Sequence, residues 1–141
     1  MPYTYEYPRF AVTVDAVLVA RDNGRQYVLL IQRGNAPFEQ MWALPGGYVD
    51  IDETTADAAV RELAEETGVE GIELKRLDVF DKIGRHPTER NISVAYYAIL
   101  DARVDAKAHD DAIDARWFDI TELPDLAFDH NDIVNRALNE L

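Results

Sequence analysis

Cysteine is absent from the chain. That excludes disulfide cross-links, zinc–thiolate centres and thiol nucleophiles, and it suits a reducing cytosol. No apolar run reaches the 18 or so residues that a bilayer-spanning helix needs. The first ten residues, MPYTYEYPRF, lack a basic region followed by an apolar stretch, so they do not read as a secretory signal. Basic residues are scarce: 14 Lys and Arg stand against 27 Asp and Glu, a formal net charge of −13. Sequence-independent binding to nucleic acid depends on a basic footprint, which this balance does not supply. An anionic ligand would need cations as mediators. Repeats, low-complexity tracts and internal linkers are also missing. The expectation is one domain over residues 1–141, cytoplasmic, without a membrane or nucleic-acid partner.

What is present is a mixture of strands and helices without regular βα alternation. Phe10 to Ala20 is apolar and valine-rich, a buried strand. Asn23-Gly24 is a strong hairpin signal, which makes Tyr27 to Gln32 the partner strand. Residues 34–47 hold three glycines and two prolines and read as a loop with a short strand near Trp42 to Leu44. Thr54-Thr55-Ala56-Asp57 resembles a capping box, and the spacing predicts a helix over 55–67 closed by Gly68. Strands are expected within Ile72 to Ile83, at Ile92 to Leu100 and at Ala115 to Phe118. Residues 102–114 read as an exposed connection, and Asp129 to Leu141 as an amphipathic helix. An α/β sandwich with a mixed sheet follows.

The 55–67 helix carries Glu62, Glu65 and Glu66, three carboxylates within five residues. At about 100° per residue they share one face. Ala56, Val60, Leu63 and Thr67 form the stripe expected to face the core, with Ala58 and Ala59 beside the acids. Arg61 is the only base on the helix, and Asp57 is its expected i, i+4 partner, so the acids are left without a local cation. Like charges at these spacings repel. Hard divalent ions relieve this, because Mg²⁺ and Mn²⁺ favour carboxylate oxygens. A solvated acidic face is the alternative.

The residues around the acids carry a specific resemblance. Gly47, five residues, Glu53, seven residues, then Arg61-Glu62-Leu63-Ala64-Glu65-Glu66-Thr67-Gly68-Val69 is similar, at every fixed position, to the Nudix box. The resemblance extends to the Phe38–Pro45 approach and to the order of strands. It implies a Nudix-type α/β/α sandwich and Mg²⁺-dependent hydrolysis of a nucleoside diphosphate linked to another group, with Mn²⁺ as a possible substitute. It assigns Glu62, Glu65, Glu66 and the Gly47 carbonyl to metal, and Arg61 with Glu53 to orienting the helix. Residues 6–15, 84–97 and 126–130 look like a bacterial ADP-ribose pyrophosphatase subgroup, which implies AMP and ribose 5-phosphate as products and suggests a homodimer. Arg33, Phe38, Arg85 and Arg90 are the candidate substrate contacts, against the simpler reading of surface arginines and a packing aromatic. Glu89 is a candidate general base, Trp42 and Phe128 are candidate stacking surfaces, and His86 and His130 receive no catalytic role. Two rivals remain: a nucleoside triphosphate pyrophosphatase, and a non-catalytic nucleotide-sensing module. The second would carry an added DNA-binding domain, which is not expected in a chain ending at Leu141.

Overall fold

The computed structural model describes residues 6–141; expectations that fall on the first five residues lie outside it. Strand β1 (Ala11–Asp22) turns at Asn23-Gly24 into β2 (Arg25–Arg33). Two short strands follow, β3 (Trp42–Ala43) and β4 (Gly46–Tyr48), then helix α1 (Thr55–Thr67). Strands β5 (Lys75–Phe80), β6 (Asn91–Leu100) and β7 (Ala112–Asp119) precede a 3₁₀ turn at Ile120–Glu122 and helix α2 (His130–Leu138).

The sheet runs β3-β2-β1-β6-β5, with β4 added to β1 and β7 to β2. β1 and β6 are parallel over ten register pairs; the other pairings are antiparallel. β6 occupies one edge of β1. The other edge goes to β4 at Thr13 to Asp15 and to β2 from Val19 onward. Val14 to Ala20 are buried without a break, which explains why this strand reads as an apolar run rather than an alternation. Parity then sorts the two faces. Val17, Val19, Val28 and Leu30 join Ile133, Val134 and Ala137 of α2, whereas Ala16, Leu18 and Leu29 join Leu63 of α1. The result is an α/β/α sandwich with a mixed sheet, as expected.

Helix α1 has the expected ends. The Thr54 hydroxyl accepts the Asp57 amide at 3.1 Å, and Gly68 adopts φ +73°. Its rotation is different from the expected one. Val60 is 47% exposed and Ala56 is also exposed, while Ala58, Ala59, Leu63, Glu66 and Thr67 are buried. Ala58 and Ala59 meet Val14 and Tyr96, because only small side chains let the helix approach the sheet so closely. The acidic stripe therefore borders the buried face and does not oppose it. Residues 102–111 form the expected, largely exposed connection, tied to the end of α1 at two points. The amides of Lys107 and His109 donate to the carbonyls of Thr67 and Glu66 at 3.0 Å each, satisfying acceptors that the helix end leaves open.

Candidate active site

Strand β4 brings Gly46 and Gly47 against the last turns of α1. The Gly46 amide donates to Glu66 Oε1 at 2.7 Å. A Cβ on Gly46 would lie 2.1 Å from the Val14 carbonyl oxygen, and one on Gly47 would lie 2.6–2.7 Å from the Glu62 carboxylate. Backbone approach requires glycine at Gly46, while a side chain at Gly47 would push the Glu62 carboxylate out of its present place.

Arg61 organises the other carboxylates. Its Nε and Nη2 donate to the two oxygens of Glu53 at 3.0 and 2.5 Å, and Nη2 also reaches the Tyr48 carbonyl. Nη1 donates to Glu62 at 2.9 Å and to Glu65 at 3.2 Å. Asp50 lies 3.6 Å from Nε. The expected partner Asp57 is not engaged; the side chain turns back over the loop before the helix, where a bidentate carboxylate is available. Two of the three acids thus have a local cation after all. These contacts, the Glu53 bonds foremost, raise the Arg61 pKa, and the same bonds together with the Asp50 amide hold Glu53 below its ordinary range.

Glu66 is in a different position. Burial pushes its carboxyl up to about 8, against the Gly46 N–H, with the charges of Glu62 and Asp15 adding to the rise. Burial also raises Glu62, against the pull of Arg61. Among the described residues, no three acidic or histidine side chains already stand at metal-ligating spacing. The donor set nevertheless fits a hard divalent ion: carboxylates without enough positive charge, in a cleft whose glycine wall leaves room for nothing larger than backbone.

Two cavities meet along this wall. One is lined by Glu62, Glu65, Glu66, Asp110 and Asp111; the other by Thr13, Asp15, Pro37, Asn91, Phe128 and His130. Arg33, Ala36, Gly46, Gly47 and Tyr48 belong to both. Arg33 is fixed at the junction by the Pro37 carbonyl at 2.8 Å and by stacking 5.0 Å from the centre of the Phe128 ring. Arg85 lines the second cavity but is buried and engaged: it grips Asp129 at 3.0 and 2.7 Å and donates to Asn91. Phe38 and Arg90 lie outside both linings. Phe38 packs edge-on against Phe128, and Arg90 covers Phe10 while donating to the Asp81 carbonyl. Glu89 receives the Tyr48 hydroxyl at 2.8 Å and the Asn91 amide at 3.2 Å.

Asp15 was not singled out from the sequence, although a lone acid inside FAVTVDAVLVA is a signal that a polar partner is required. Those partners are Ser93, His130 at 3.2 Å and Arg85 at 3.8 Å. Burial pushes this carboxyl up, and His130, Ser93 and Arg85 together more than reverse that, so it stays below its ordinary range.

An α/β/α sandwich with a carboxylate cluster on one helix against a glycine strand is the arrangement of the Nudix class of anhydride hydrolases. The NUDIX domain family model matches residues 9–137. The chain belongs to the Nudix family and is a Nudix pyrophosphohydrolase. It is 43% identical over 125 residues to an ADP-ribose pyrophosphatase of Methanocaldococcus jannaschii, covering 88% of this chain and 70% of that one. It is 32% identical to the ADPR-responsive transcriptional repressor NtrR of Acinetobacter baylyi, over 96% of this chain and 56% of the repressor. Among solved structures, the NUDIX domain of Shewanella oneidensis NrtR complexed with ADP ribose superposes with a TM-score of 0.87 at 30% identity, covering 95% and 90% of the two chains. A bifunctional NMN adenylyltransferase/ADP ribose pyrophosphatase of Francisella tularensis, complexed with AMP and a manganese ion, superposes at 0.81 and 31% identity, over 96% of this chain and 43% of that one.

Proposed function

We propose that this enzyme hydrolyses the diphosphate of ADP-ribose, releasing AMP and ribose 5-phosphate. The observation that carries the proposal is the shared wall. An acidic cavity and an aromatic, hydrogen-bonding cavity adjoin at Gly46–Tyr48 and Arg33, as suits a ligand with a diphosphate at its centre and larger groups to either side. Glu62, Glu65, Glu66 and the Gly47 carbonyl would hold Mg²⁺, with Mn²⁺ as a substitute. When bound, such an ion neutralises diphosphate charge and activates water. The chain's own residues do the remainder. Arg61, locked on Glu53 and the Tyr48 carbonyl, holds α1 in register with β4. Arg33 presents its charge to both cavities, Phe128 offers a flat apolar surface, and Thr13 offers a hydroxyl to the ribose. Glu89, held by Tyr48 and Asn91, is one candidate proton acceptor, and a glutamate of α1 is the other.

The test is a hydrolysis panel of ADP-ribose, NADH, diadenosine polyphosphates and nucleoside triphosphates, with and without chelator and with products identified by mass. ADP-ribose should show the highest kcat/KM, with AMP and ribose 5-phosphate in equal amounts and no turnover in EDTA. A preference for triphosphates with pyrophosphate release would move the substrate and leave the metal site in place. The likeness to the ADP-ribose-bound repressor domain favours a second reading, a sensor that binds ADP-ribose without cleaving it. Saturable binding with no product over hours would select it. A homodimer is the proposed assembly, to be measured by light scattering of the eluted protein.

A further inference from the structure

The imidazole of His130 stands at the first position of α2 and is buried on the sheet face opposite α1. Nothing in the hydrolytic chemistry above uses it. Its two nitrogens are both engaged, each with a different role. Nδ1 lies 3.0 Å from the Leu44 amide nitrogen, and Nε2 lies 3.2 Å from Asp15 Oδ1. An amide nitrogen can only donate, so Nδ1 must be the acceptor and carries no proton; the ring proton sits on Nε2 and is given to Asp15. The surroundings leave one tautomer satisfied.

The Leu44 contact is placed where it matters. The Leu44 amide is the last backbone donor before Gly46, because Pro45 has no N–H. Over three consecutive residues the chain is then anchored three times: Leu44 N–H to His130, the Pro45 carbonyl to the Ala16 amide at 2.8 Å, and Gly46 N–H to Glu66. The middle anchor is backbone to backbone, and the outer two end on side chains, His130 from α2 and Glu66 from α1. The tolerance at the end of this segment is small, since Gly46 faces the Val14 carbonyl, and Gly47 faces the Glu62 carboxylate, with no room for a Cβ. A displacement of Leu44 would be passed along Pro45 to the amide that orients Glu66 and to the residue that faces Glu62.

We propose that His130 is a positioning residue for the metal-binding strand: as an obligate Nδ1 acceptor for the Leu44 amide, it sets where Gly46 and Gly47 meet Glu66 and Glu62. Both ring nitrogens are taken up by Leu44 and Asp15, so its part is in placing the strand, although its ring borders the second cavity. The proposal rests on the reading of Glu62, Glu65, Glu66 and Gly47 as the metal donors. Groups that orient the donors of a metal site typically change metal affinity by about 10–100-fold when removed.

Two amides separate the roles of the two nitrogens. Asparagine places Oδ1 near the position of imidazole Nδ1, so His130→Asn keeps an acceptor for Leu44 and loses the contact with Asp15. Glutamine places its amide nitrogen near Nε2, so His130→Gln keeps a donor for Asp15 and loses the acceptor. Mn²⁺ affinity of the full chain, read by electron paramagnetic resonance without substrate, should stay within about threefold of wild type for His130→Asn and weaken by about tenfold or more for His130→Gln. Thermal unfolding measured in parallel shows whether both variants are folded. Equal affinities in the two variants, whether both retained or both lost, would overturn the proposal and leave His130 a packing residue. Glu66→Gln serves as the control on the underlying reading. If it binds Mn²⁺ like wild type, the metal assignment falls and takes the proposal with it; if it loses Mn²⁺ while the two His130 variants match each other, the proposal alone falls. Should either variant not fold, the wild-type protein decides. Imidazole ¹⁵N shifts must show a bare Nδ1 and a protonated Nε2, and the Leu44 amide must be slow to exchange with solvent. A protonated Nδ1, or rapid exchange at Leu44, contradicts the arrangement.

Discussion

At the scale of the residue, the site is built from carboxylates in unequal surroundings. Glu65 is exposed and shares Arg61, Glu62 shares Arg61 and is half-buried, and Glu66 is buried with a single backbone donor. Glutamine at 62 or 66 keeps the shape and removes the charge that a cation would answer. Glu62→Gln and Glu66→Gln should therefore each lower kcat by about 10² or more; for Glu66→Gln the melting temperature should hold or rise, because burial disfavours the carboxylate there, whereas Glu62→Gln also gives up the Arg61 ion pair. Steady-state kinetics alongside thermal unfolding checks this, and wild-type rates in both variants would show that the donors are elsewhere. Asp15 behaves in the opposite way. Its folded pKa is depressed, so the ionised group stabilises the fold above its unfolded value near 3.8, and that contribution is lost as pH falls through the lower folded value. Denaturant unfolding at a series of acidic pH values should show stability rising with pH across this window. The slope should be shallower in Asp15→Asn, which should also be less stable at neutral pH because Arg85 and His130 lose their counter-ion and acceptor.

Among the elements, α1 has to serve a core and present an acidic face to a cleft on one short helix. Leu63 is 2% exposed in the core between α1 and the sheet, whereas Val60 is 47% exposed, although both sit on what looks like one apolar stripe. Leu63→Ala should cost about 2–5 kcal/mol through transfer and cavity terms. Val60→Ala should change stability by less than about 0.5 kcal/mol, helped by alanine's helix propensity. Equilibrium denaturation of the two variants separates them; comparable losses would return the helix to the orientation its periodicity suggests. The ends of α1 are set locally by the Thr54 cap and Gly68. Its rotation about its own axis is set elsewhere, by Ala58 and Ala59 against Val14 and Tyr96 and by Arg61 reaching the Tyr48 carbonyl.

For the molecule as a whole, a net charge of −13 and a cleft lined by Glu62, Glu65, Glu66, Asp110 and Asp111 would, on the proposed metal reading, make cation binding and folding a linked pair. An ion that binds the folded state alone stabilises it by RT ln(1 + [L]/Kd), about 2.7 kcal/mol at a hundredfold excess over Kd. Millimolar Mg²⁺ should raise the melting temperature by several degrees relative to EDTA, and the shift should vanish in Glu66→Gln. Equal melting temperatures with and without Mg²⁺ would remove the basis for the site. The same concentrations of Na⁺ should do little, since screening acts on the exposed surface charges more than on a buried carboxylate.

Much of this protein was decided by the sequence alone. The hairpin at Asn23-Gly24, both ends of α1, the buried β1 and β6 and the family itself depend on neighbours within a few residues or on the fixed spacing from Gly47 to Val69, and local chemistry of that kind is carried in the order of the residues. The rotation of α1 and one buried network were settled only by the tertiary structure. The rotation of α1 depends on which side chains are small enough to touch the sheet, and the rule that large apolar residues face inward gave Val60 the wrong place. The Arg61–Glu53 pair that the resemblance implied is present, and the helical partner Asp57 is passed over because a loop brings a bidentate carboxylate nearer than the helix does. The Asp15–His130–Arg85–Asp129 network joins residues as far apart as 15 and 130 through the parallel pairing of β1 with β6 and the docking of α2. No local pattern announces such a contact, because its energy appears only when burial removes water from groups that would otherwise be solvated separately.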